Sequence, residues 1–244
     1  MIIAYAKSDV GKARDMNQDS YYISDSLSEV KIYLLAAGMG GYKGGEIASS
    51  LAIKCTKNYI ENNFKETPKD RESLIQLVAS SMEYANMVVY EKSKEDKELE
   101  GMGTTLEVCL IYNNKAYIGH VGDSRIYRIR KDFIRKLTQD HSYVQKLVKD
   151  GTITKEEAEN HPKKNMLMKA LGCNAFVEPD VLVRGFLRDD ILLMCSDGLT
   201  NMVKQEDIFE NAKGNIEKAP IKLVDLANEN GGLDNITVVV IKNI

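Results

Sequence analysis

The stretch from residue 191 to residue 198 is Ile-Leu-Leu-Met-Cys-Ser-Asp-Gly, in which an apolar run of strand length ends at an acidic residue. Similar apolar runs occupy residues 30–36 and 236–241. Apolar runs without polar alternation are typical of strands that other parts of the protein cover on both faces. These stretches therefore predict sheets that lie between other layers of structure.

Strands and helices occur in separate blocks along the chain. The predicted strands cover residues 2–7, 21–24, 30–36, 105–112, 115–121, 124–130, 133–137, 181–186, 191–195 and 236–241. Two long helices follow the third strand, and the second is expected to begin at Thr67 as its cap. Shorter helices are predicted at residues 142–149, 155–160, 205–212 and 221–228. We expect the four strands between residues 105 and 137 to form a meander, and the separate blocks favour an α+β fold.

Length, composition and charge limit the number of domains and the kinds of partner that this chain can have. No internal repeat or low-complexity linker divides the 244 residues, so one domain over residues 1–244 is expected, with a candidate flap at about 141–180. A net charge of −3 without a long Lys/Arg block argues against nucleic-acid binding. No apolar run approaches the roughly 20 residues that span a bilayer, and no secretory signal begins the chain. We expect a cytoplasmic monomer with no membrane partner.

Four acidic residues lie at the ends of predicted strands, each beside glycine or asparagine: Asp19, Asp123, Asp197 and Asp234. A carboxylate at the mouth of a buried sheet is costly to desolvate unless a positive charge meets it. Singly, each of these residues could form a turn or cap a helix. Together they indicate oxygen ligands for a hard divalent cation, Mg²⁺ or Mn²⁺.

Seven short motifs occur in a fixed order along the chain. They are Gly11-Lys-Ala-Arg14-Asp-Met-Asn17-Gln18-Asp19, Gly38-Met39-Gly40-Gly41, Gly101-Met-Gly-Thr-Thr105, Gly119-His-Val-Gly-Asp123-Ser-Arg125, Leu137-Thr-Gln-Asp-His141, Ser196-Asp197-Gly198 and Gly231-Gly-Leu-Asp234-Asn235. In this order they resemble the motifs of the PP2C (PPM) family of metal-dependent Ser/Thr protein phosphatases, and the short chain resembles its bacterial members. The resemblance extends from about residue 8 to the C-terminus.

This resemblance implies two stacked antiparallel β-sheets flanked by α-helices, an αββα four-layer sandwich, with a Mn²⁺ or Mg²⁺ centre at one edge. Asp197 and Asp234 match ligands of the first ion, and the carbonyl of Gly38 matches a ligand of the second. Asp19 matches a carboxylate that supports the second ion. Asp123 matches the acid that holds a third, weaker ion in bacterial members. Two ions are therefore expected, with a possible third.

The resemblance also implies a mechanism. Arg14 matches the arginine that binds the substrate phosphate, and its guanidinium suits a bidentate grip on a dianion. A water activated by the two ions would attack phosphoserine or phosphothreonine in proteins. None of the three histidines, His120, His141 and His161, lies at a family position for a general acid, so structural roles are expected for them. The partners implied are phosphorylated proteins, with a cognate Ser/Thr kinase and its substrates.

Cysteine chemistry is not indicated. The four cysteines form no CxxC pair, so neither a zinc site nor a disulfide framework is predicted. None of the four has an arginine six positions later, which is the usual signature of phosphatases with a cysteine nucleophile.

Ala37 departs from the family pattern. The family has an aspartate at this position that bridges both ions, and a methyl group cannot coordinate a cation. We therefore expect weak metal occupancy and severely reduced turnover. Our leading hypothesis is an engineered inactivating substitution in an otherwise active enzyme. The alternatives are a natural pseudophosphatase that binds phosphoproteins without hydrolysing them and a regulatory module that docks to a kinase or another partner.

Overall fold

The computed structural model describes residues 1–39, 41–95 and 97–244, so Gly40 of the second motif and Asp96 lie outside the described residues. Its strands are β1 Ile2–Asp9, β2 Asp19–Ile23, β3 Lys31–Met39, β4 Gly103–Thr104, β5 Leu106–Tyr112, β6 Lys115–Val121, β7 Arg125–Arg130, β8 Phe133–Lys136, β9 Asp180–Gly185, β10 Ile191–Cys195 and β11 Ile236–Asn243. The helices are α1 Gly41–Phe64, α2 Arg71–Glu95, α3 Tyr143–Lys149, α4 Lys155–Glu159, α5 Asp197–Thr200, α6 Gln205–Lys213 and α7 Ala219–Glu229, with a short 3-10 helix at Lys97–Leu99.

The strands form two antiparallel sheets. The first sheet has the order β1-β11-β10-β7-β8, and the second has the order β2-β3-β5-β6-β9, with β4 paired to the end of β3. Helices α1 and α2 pack on the outer face of the second sheet, and α6 and α7 pack on the outer face of the first. The predicted α+β class and the four-layer αββα arrangement are confirmed.

Alternation along the apolar strands explains why they contain so few polar residues. Ile32 and Leu34 of β3 face the α1 and α2 layer, whereas Tyr33 and Leu35 face the opposite sheet. In β10, Leu193 packs towards the α6 and α7 layer. Successive side chains of a strand point to opposite faces, so a strand with a packed layer on each side needs apolar residues at every position.

The predicted meander is wrong. Strands β5 and β6 belong to the second sheet, whereas β7 and β8 belong to the first. The connection at residues 122–124 therefore crosses between the sheets instead of forming a hairpin. Gly122 has φ +117°, which most residues with a side chain avoid, so the chain can turn sharply there. Local strand patterns do not reveal such a crossing, because hairpin and crossing have the same apolar strands on each side.

The start of the second long helix also differs from the prediction. Helix α2 begins at Arg71, and the carboxylate of Asp70 accepts a hydrogen bond from the Ser73 backbone N–H at 2.9 Å. The Thr67 hydroxyl instead donates to the Asn63 carbonyl at the end of α1. Aspartate is as strong a helix cap as threonine, so the sequence offered two starts.

Within the described residues, every helix is too short or too polar to cross a bilayer.

Candidate functional site

A cleft of about 680 Å³ collects six of the seven predicted site residues. The six are Arg14, Ala37, Gly38, Asp123, Asp197 and Asp234. They come from the loop after β1, the end of β3, the β6–β7 connection, the start of α5 and the turn before β11. Asn165 and Leu167, from the 141–180 segment predicted as a flap, also line the cleft.

Antiparallel pairing brings the acidic residues together from distant parts of the chain. Strand β10 runs antiparallel to β11, with Cys195 opposite Val238, so the end of β10 lies beside the start of β11. Asp197 and Asp234 are therefore neighbours although 37 positions separate them in the sequence. In the second sheet, Asp19 is the direct cross-strand partner of Ala37.

Asp19 lies behind the cleft instead of lining it. One of its carboxylate oxygens is buried with no hydrogen-bond partner among the described residues. Burial raises the pKa of Asp19 to about 7, although the hydroxyls of Thr237 and Ser196 act in the opposite direction. An unpaired carboxylate oxygen in a buried position is the arrangement that a nearby cation would stabilise.

The acids of the cleft repel one another. Burial, followed by the charge of Asp197, raises the pKa of Asp123 to about 8. Burial, followed by the charge of Asp234, raises the pKa of Asp197 to about 6. Carboxylates gathered in one half-buried cleft are stable when a positive charge compensates them. The donor set, carboxylates with a backbone carbonyl, is the one that Mg²⁺ and Mn²⁺ prefer.

The carboxylates that the structure describes in the cleft do not lie close enough together to hold an ion among themselves. No three His, Cys, Asp or Glu side chains in residues 1–39, 41–95 and 97–244 come together closely enough to hold an ion among them. Ala37 contributes only a methyl group to the wall of the cleft. The residues therefore fit a hard cation in the kind of ligand they offer, and they are short of one ligand at position 37.

Arg14 lies at the mouth of the cleft in a bidentate ion pair. Its Nε donates to one carboxylate oxygen of Asp234 and its terminal nitrogen donates to the other, both at 2.9 Å. The Asp234 carboxyl is the first cause of the raised pKa of Arg14. More than half of the arginine side chain is exposed, so its guanidinium remains accessible to a ligand that enters the cleft.

Asn235 holds the arginine loop, a role that the sequence did not reveal. Its side-chain amide donates to the carbonyls of Val10 and Met16, both at 2.9 Å, and its Oδ1 accepts from the Gln18 backbone N–H. An asparagine beside a functional acid in a glycine-rich turn is a weak signal, because such turns commonly contain asparagine. Only the pairing of the two chain ends shows what Asn235 contacts.

Close packing explains the glycine at position 38. A Cβ atom at Gly38 would lie 2.1 Å from the carbonyl oxygen of Gly45 and 2.7 Å from that of Gln18. No side chain fits there without movement of the backbone. The glycine therefore lets β3 pack closely against the start of α1 at the point where Gly38 lines the cleft.

Two threonines, also missed from the sequence, fix the backbone of Ala37. The Thr105 hydroxyl accepts from the Ala37 N–H at 2.9 Å and lies 2.8 Å from the Ser124 hydroxyl. The Thr104 hydroxyl donates to the Ala37 carbonyl at 3.0 Å. Both threonines are buried, so these bonds are shielded from water.

Removing the Thr105 hydroxyl is expected to destabilise the fold. Thr105→Val preserves the shape but leaves the Ala37 N–H and the Ser124 hydroxyl without this partner, which costs about 1–3 kcal/mol. Thr105→Ser keeps a hydroxyl and serves as the control. Denaturant unfolding measures the difference, and a Val variant as stable as the Ser variant would contradict these bonds.

The histidines lie away from the cleft lining. The imidazole of His120 is fully buried and pairs with Glu107, and it stacks on the ring of His141 with 4.5 Å between centroids. The Nδ1 atom of His141 accepts from the Gly122 backbone N–H, and its Nε2 lies 3.3 Å from the Asp180 carboxylate. His161 is near the ring of Tyr143. None of the three lines the cleft as the described residues define it.

Comparison with known proteins gives these residues a context. The chain is 38% identical over 240 residues to the serine/threonine phosphatase stp of Listeria innocua, covering 97% of this chain and 94% of that protein. The crystal structure of serine/threonine phosphatase Stp1 from Staphylococcus aureus matches with a TM-score of 0.92 at 34% identity, over 100% of this chain and 96% of that one.

A further solved structure contains metal. The catalytic domain of the serine threonine protein phosphatase PstP, in complex with two manganese ions, matches with a TM-score of 0.86 at 34% identity, over 99% of this chain and 97% of that one. The protein phosphatase 2C family itself matches residues 12–216. With the four-layer fold and the acidic cleft between distant chain segments, this match shows that the chain belongs to the protein phosphatase 2C family.

Proposed function

We propose that this chain is a protein serine/threonine phosphatase that hydrolyses phosphoserine and phosphothreonine in proteins and depends on Mn²⁺ or Mg²⁺. The observation that carries the proposal is the meeting of Asp123, Asp197 and Asp234 with Arg14 in one cleft. Family membership and similarity to proteins named serine/threonine phosphatase support it. The substrates proposed are phosphoproteins, including those of a cognate Ser/Thr kinase.

Each residue has a proposed role in holding the ions. Asp197 and Asp234 would hold one ion, the Gly38 carbonyl with support from Asp19 would hold another, and Asp123 would hold a third. When bound, such ions supply an activated water and neutralise charge on the phosphate. The raised pKa values of Asp19, Asp123 and Asp197 support this assignment, because they indicate carboxylates that lack a compensating charge.

Arg14 would bind the substrate phosphate. Its guanidinium already makes two parallel bonds to a carboxylate, and the same geometry suits two oxygens of a phosphate. Asn235 would position Arg14 indirectly, because it fixes the backbone of the loop on both sides of the arginine. A dianion bound by Arg14 would lie at the mouth of the cleft that Asp123, Asp197 and Asp234 line.

We also propose that turnover is severely impaired because Ala37 replaces the bridging aspartate. Among the described residues, no three His, Cys, Asp or Glu side chains lie close enough together to hold an ion, and this supports the proposal. An engineered substitution remains the leading explanation, with a pseudophosphatase or regulatory module as the alternatives. The four cysteines are unpaired, which supports a cytoplasmic setting because thiols stay reduced there.

Metal removal and one acidic variant test the proposal. The chain is expected to release phosphate slowly from phosphoserine and phosphothreonine peptides with Mn²⁺, and chelator should abolish this release. Asp197→Asn should abolish the release as well and should weaken Mn²⁺ binding by about 100-fold in calorimetry. Loss of a residue that only supports a metal ligand already lowers metal affinity about 10–100-fold.

The matched control is Asp225→Asn, on the exposed face of α7. This variant loses the same charge outside the cleft and should behave like the parent chain. Equal Mn²⁺ affinity of the Asp197→Asn variant and the parent would refute the assignment of Asp197.

A further inference from the structure

A second groove, of about 390 Å³, lies directly beside the candidate active-site cleft. Leu167 lines the cleft, and the next residue, Met168, lines the groove. The backbone of residues 166–168 is held in place by hydrogen bonds from the Tyr143 N–H to the Met166 carbonyl and from the Met168 N–H to the His141 carbonyl, both at 2.8 Å. The two depressions therefore share a wall of fixed backbone.

The acids in this groove already have cationic partners. Asp140 accepts from Arg125 at 2.7 Å and from Lys136 at 3.1 Å. Asp180 lies 3.4 Å from the ammonium of Lys169 and 3.3 Å from the ring of His141, which is neutral because burial lowers its pKa to about 4. The carboxylates of the groove are thus compensated locally and would offer little repulsion to an anionic ligand.

Two lysines of the groove are not compensated. Lys146 and Lys149 extend from successive turns of α3, line the groove and are exposed to solvent. Among the residues that the structure describes, neither ammonium has a carboxylate within ion-pair distance. The groove consequently carries excess positive charge on a chain whose net charge is −3.

The lining of the groove suits a polypeptide better than a small ion. Met168 is about half exposed there, at 51%, and Gln139 and Gln145 offer side-chain amides. An extended peptide alternates its side chains and presents backbone groups to amides of this kind. Positive charge beside an exposed apolar side chain and two amides favours an acidic segment of polypeptide.

We propose that this groove binds an acidic segment of the phosphoprotein substrate, a few residues from the phosphorylated side chain, through Lys146 and Lys149. The inference rests on the proposed function, and it adds a substrate class: phosphoproteins with Asp or Glu near the phosphorylated residue. An extended chain advances about 3.3 Å per residue, so a run of several acids bridges neighbouring depressions.

Peptide binding to the chain as it stands tests the groove. The probes are two fluorescein-labelled phosphoserine peptides, with four glutamates on the N-terminal or on the C-terminal side, and a third with four glutamines. One glutamate peptide should bind more tightly than the glutamine peptide. The double variant Lys146→Gln/Lys149→Gln should weaken its binding about tenfold and remove the preference, because each exposed ion pair contributes up to about 1 kcal/mol.

The control is Lys218→Gln/Lys222→Gln, which removes two exposed lysines near the start of α7. It should leave the preference for glutamate intact. Raising the salt concentration should reduce the preference in the parent chain, because added ions screen exposed charges. Thermal unfolding checks that the α3 variant is folded. Equal loss of preference in both double variants, or no preference at all in the parent, would overturn the proposal.

A kinetic arm separates failure of the groove from failure of the proposed function. With the Ala37→Asp chain, the α3 double variant should raise the KM for the glutamate peptide about tenfold and leave kcat unchanged. Hydrolysis of a small aryl phosphate should not change. Absence of hydrolysis with every substrate would reject the proposed function alone, because the binding measurements still decide whether the groove selects acidic peptides.

Discussion

Replacing Ala37 with aspartate is expected to raise the rate of phosphoserine-peptide hydrolysis with Mn²⁺ by at least about 100-fold, since loss of residues that merely support a ligand already costs 10–100-fold. The new carboxylate would enter the cleft beside Asp123, Asp197 and Asp234. The Ala37 backbone is already fixed by the Thr104 and Thr105 hydroxyls, so the added side chain would start from a defined position.

Ala37→Asn is the matched control, because it has the same size without the charge and should recover little activity. Protein stability gives a second readout. Without divalent ions, Ala37→Asp should lower the midpoint of thermal unfolding, because a further acid joins a repelling group. With saturating Mn²⁺ it should raise the midpoint, since about 100-fold excess over the dissociation constant stabilises by about 2.7 kcal/mol.

The outcome also distinguishes the origins of the substitution. A large gain in rate is the expected result for an enzyme that was inactivated by one replacement. No gain over the unrestored chain would defeat that hypothesis and would favour a pseudophosphatase or a regulatory module. Phosphoprotein binding that is unaffected by loss of Arg14 and of metal would then favour the regulatory module.

The second large effect is expected at a buried ion pair outside the cleft lining, although its histidine belongs to the motif at residues 119–125. Glu107 in β5 and His120 in β6 are direct cross-strand partners, both side chains are fully buried, and Glu107 Oε1 contacts His120 Nδ1. His120→Leu should lower the free energy of unfolding by about 3–5 kcal/mol, because it leaves the Glu107 carboxyl buried without its partner.

The double variant Glu107→Leu/His120→Leu is the control and should be less destabilised than His120→Leu, since apolar replacement of both partners removes the buried charge. Chemical denaturation of the four proteins in this cycle gives the coupling energy directly. A double variant less stable than His120→Leu would contradict the ion pair as the source of the effect.

The Glu107–His120 pair should also make the stability of the protein depend on pH. The Nε2 atom of His120 faces the Gln139 carbonyl at 2.8 Å and must donate to it, so a single proton lies between Nδ1 and Glu107. Burial raises the pKa of Glu107 to about 7. Burial opposes the charged form of His120, but the charge of Glu107 leaves the pKa of the ring above its ordinary value.

The pKa values of Glu107 and His120 are both raised in the folded protein. The folded pair keeps a proton that the unfolded chain releases near pH 6.5, the ordinary value for histidine. The contribution of the pair to stability is therefore lost as the pH rises above about 6.5 and through the folded pKa values. Unfolding at a series of pH values should show this decline in the parent chain, and the Leu double variant should lack that part of the slope.

Much of the fold could be predicted from single strands. Residues 32–36 and 191–195 are apolar at every position, and the structure places helices on one side of each strand and the opposing sheet on the other. The predicted meander was wrong because the sequence of a strand does not determine which strand it pairs with. The bend at Gly122 sends the chain to the other sheet, and that choice depends on what both sheets already contain.

The sequence by itself determined the layers, the acids at the strand ends and the absence of a carboxylate at residue 37, because each of these is a local property of a short stretch. Only the tertiary structure decided that Arg14 pairs with Asp234, that Asp19 lies behind the cleft and that Lys146 and Lys149 have no ion-pair partner among the described residues. Arg14 and Asp234 are 220 positions apart. Contacts over such distances arise from the packing of the two sheets, so no local pattern encodes them.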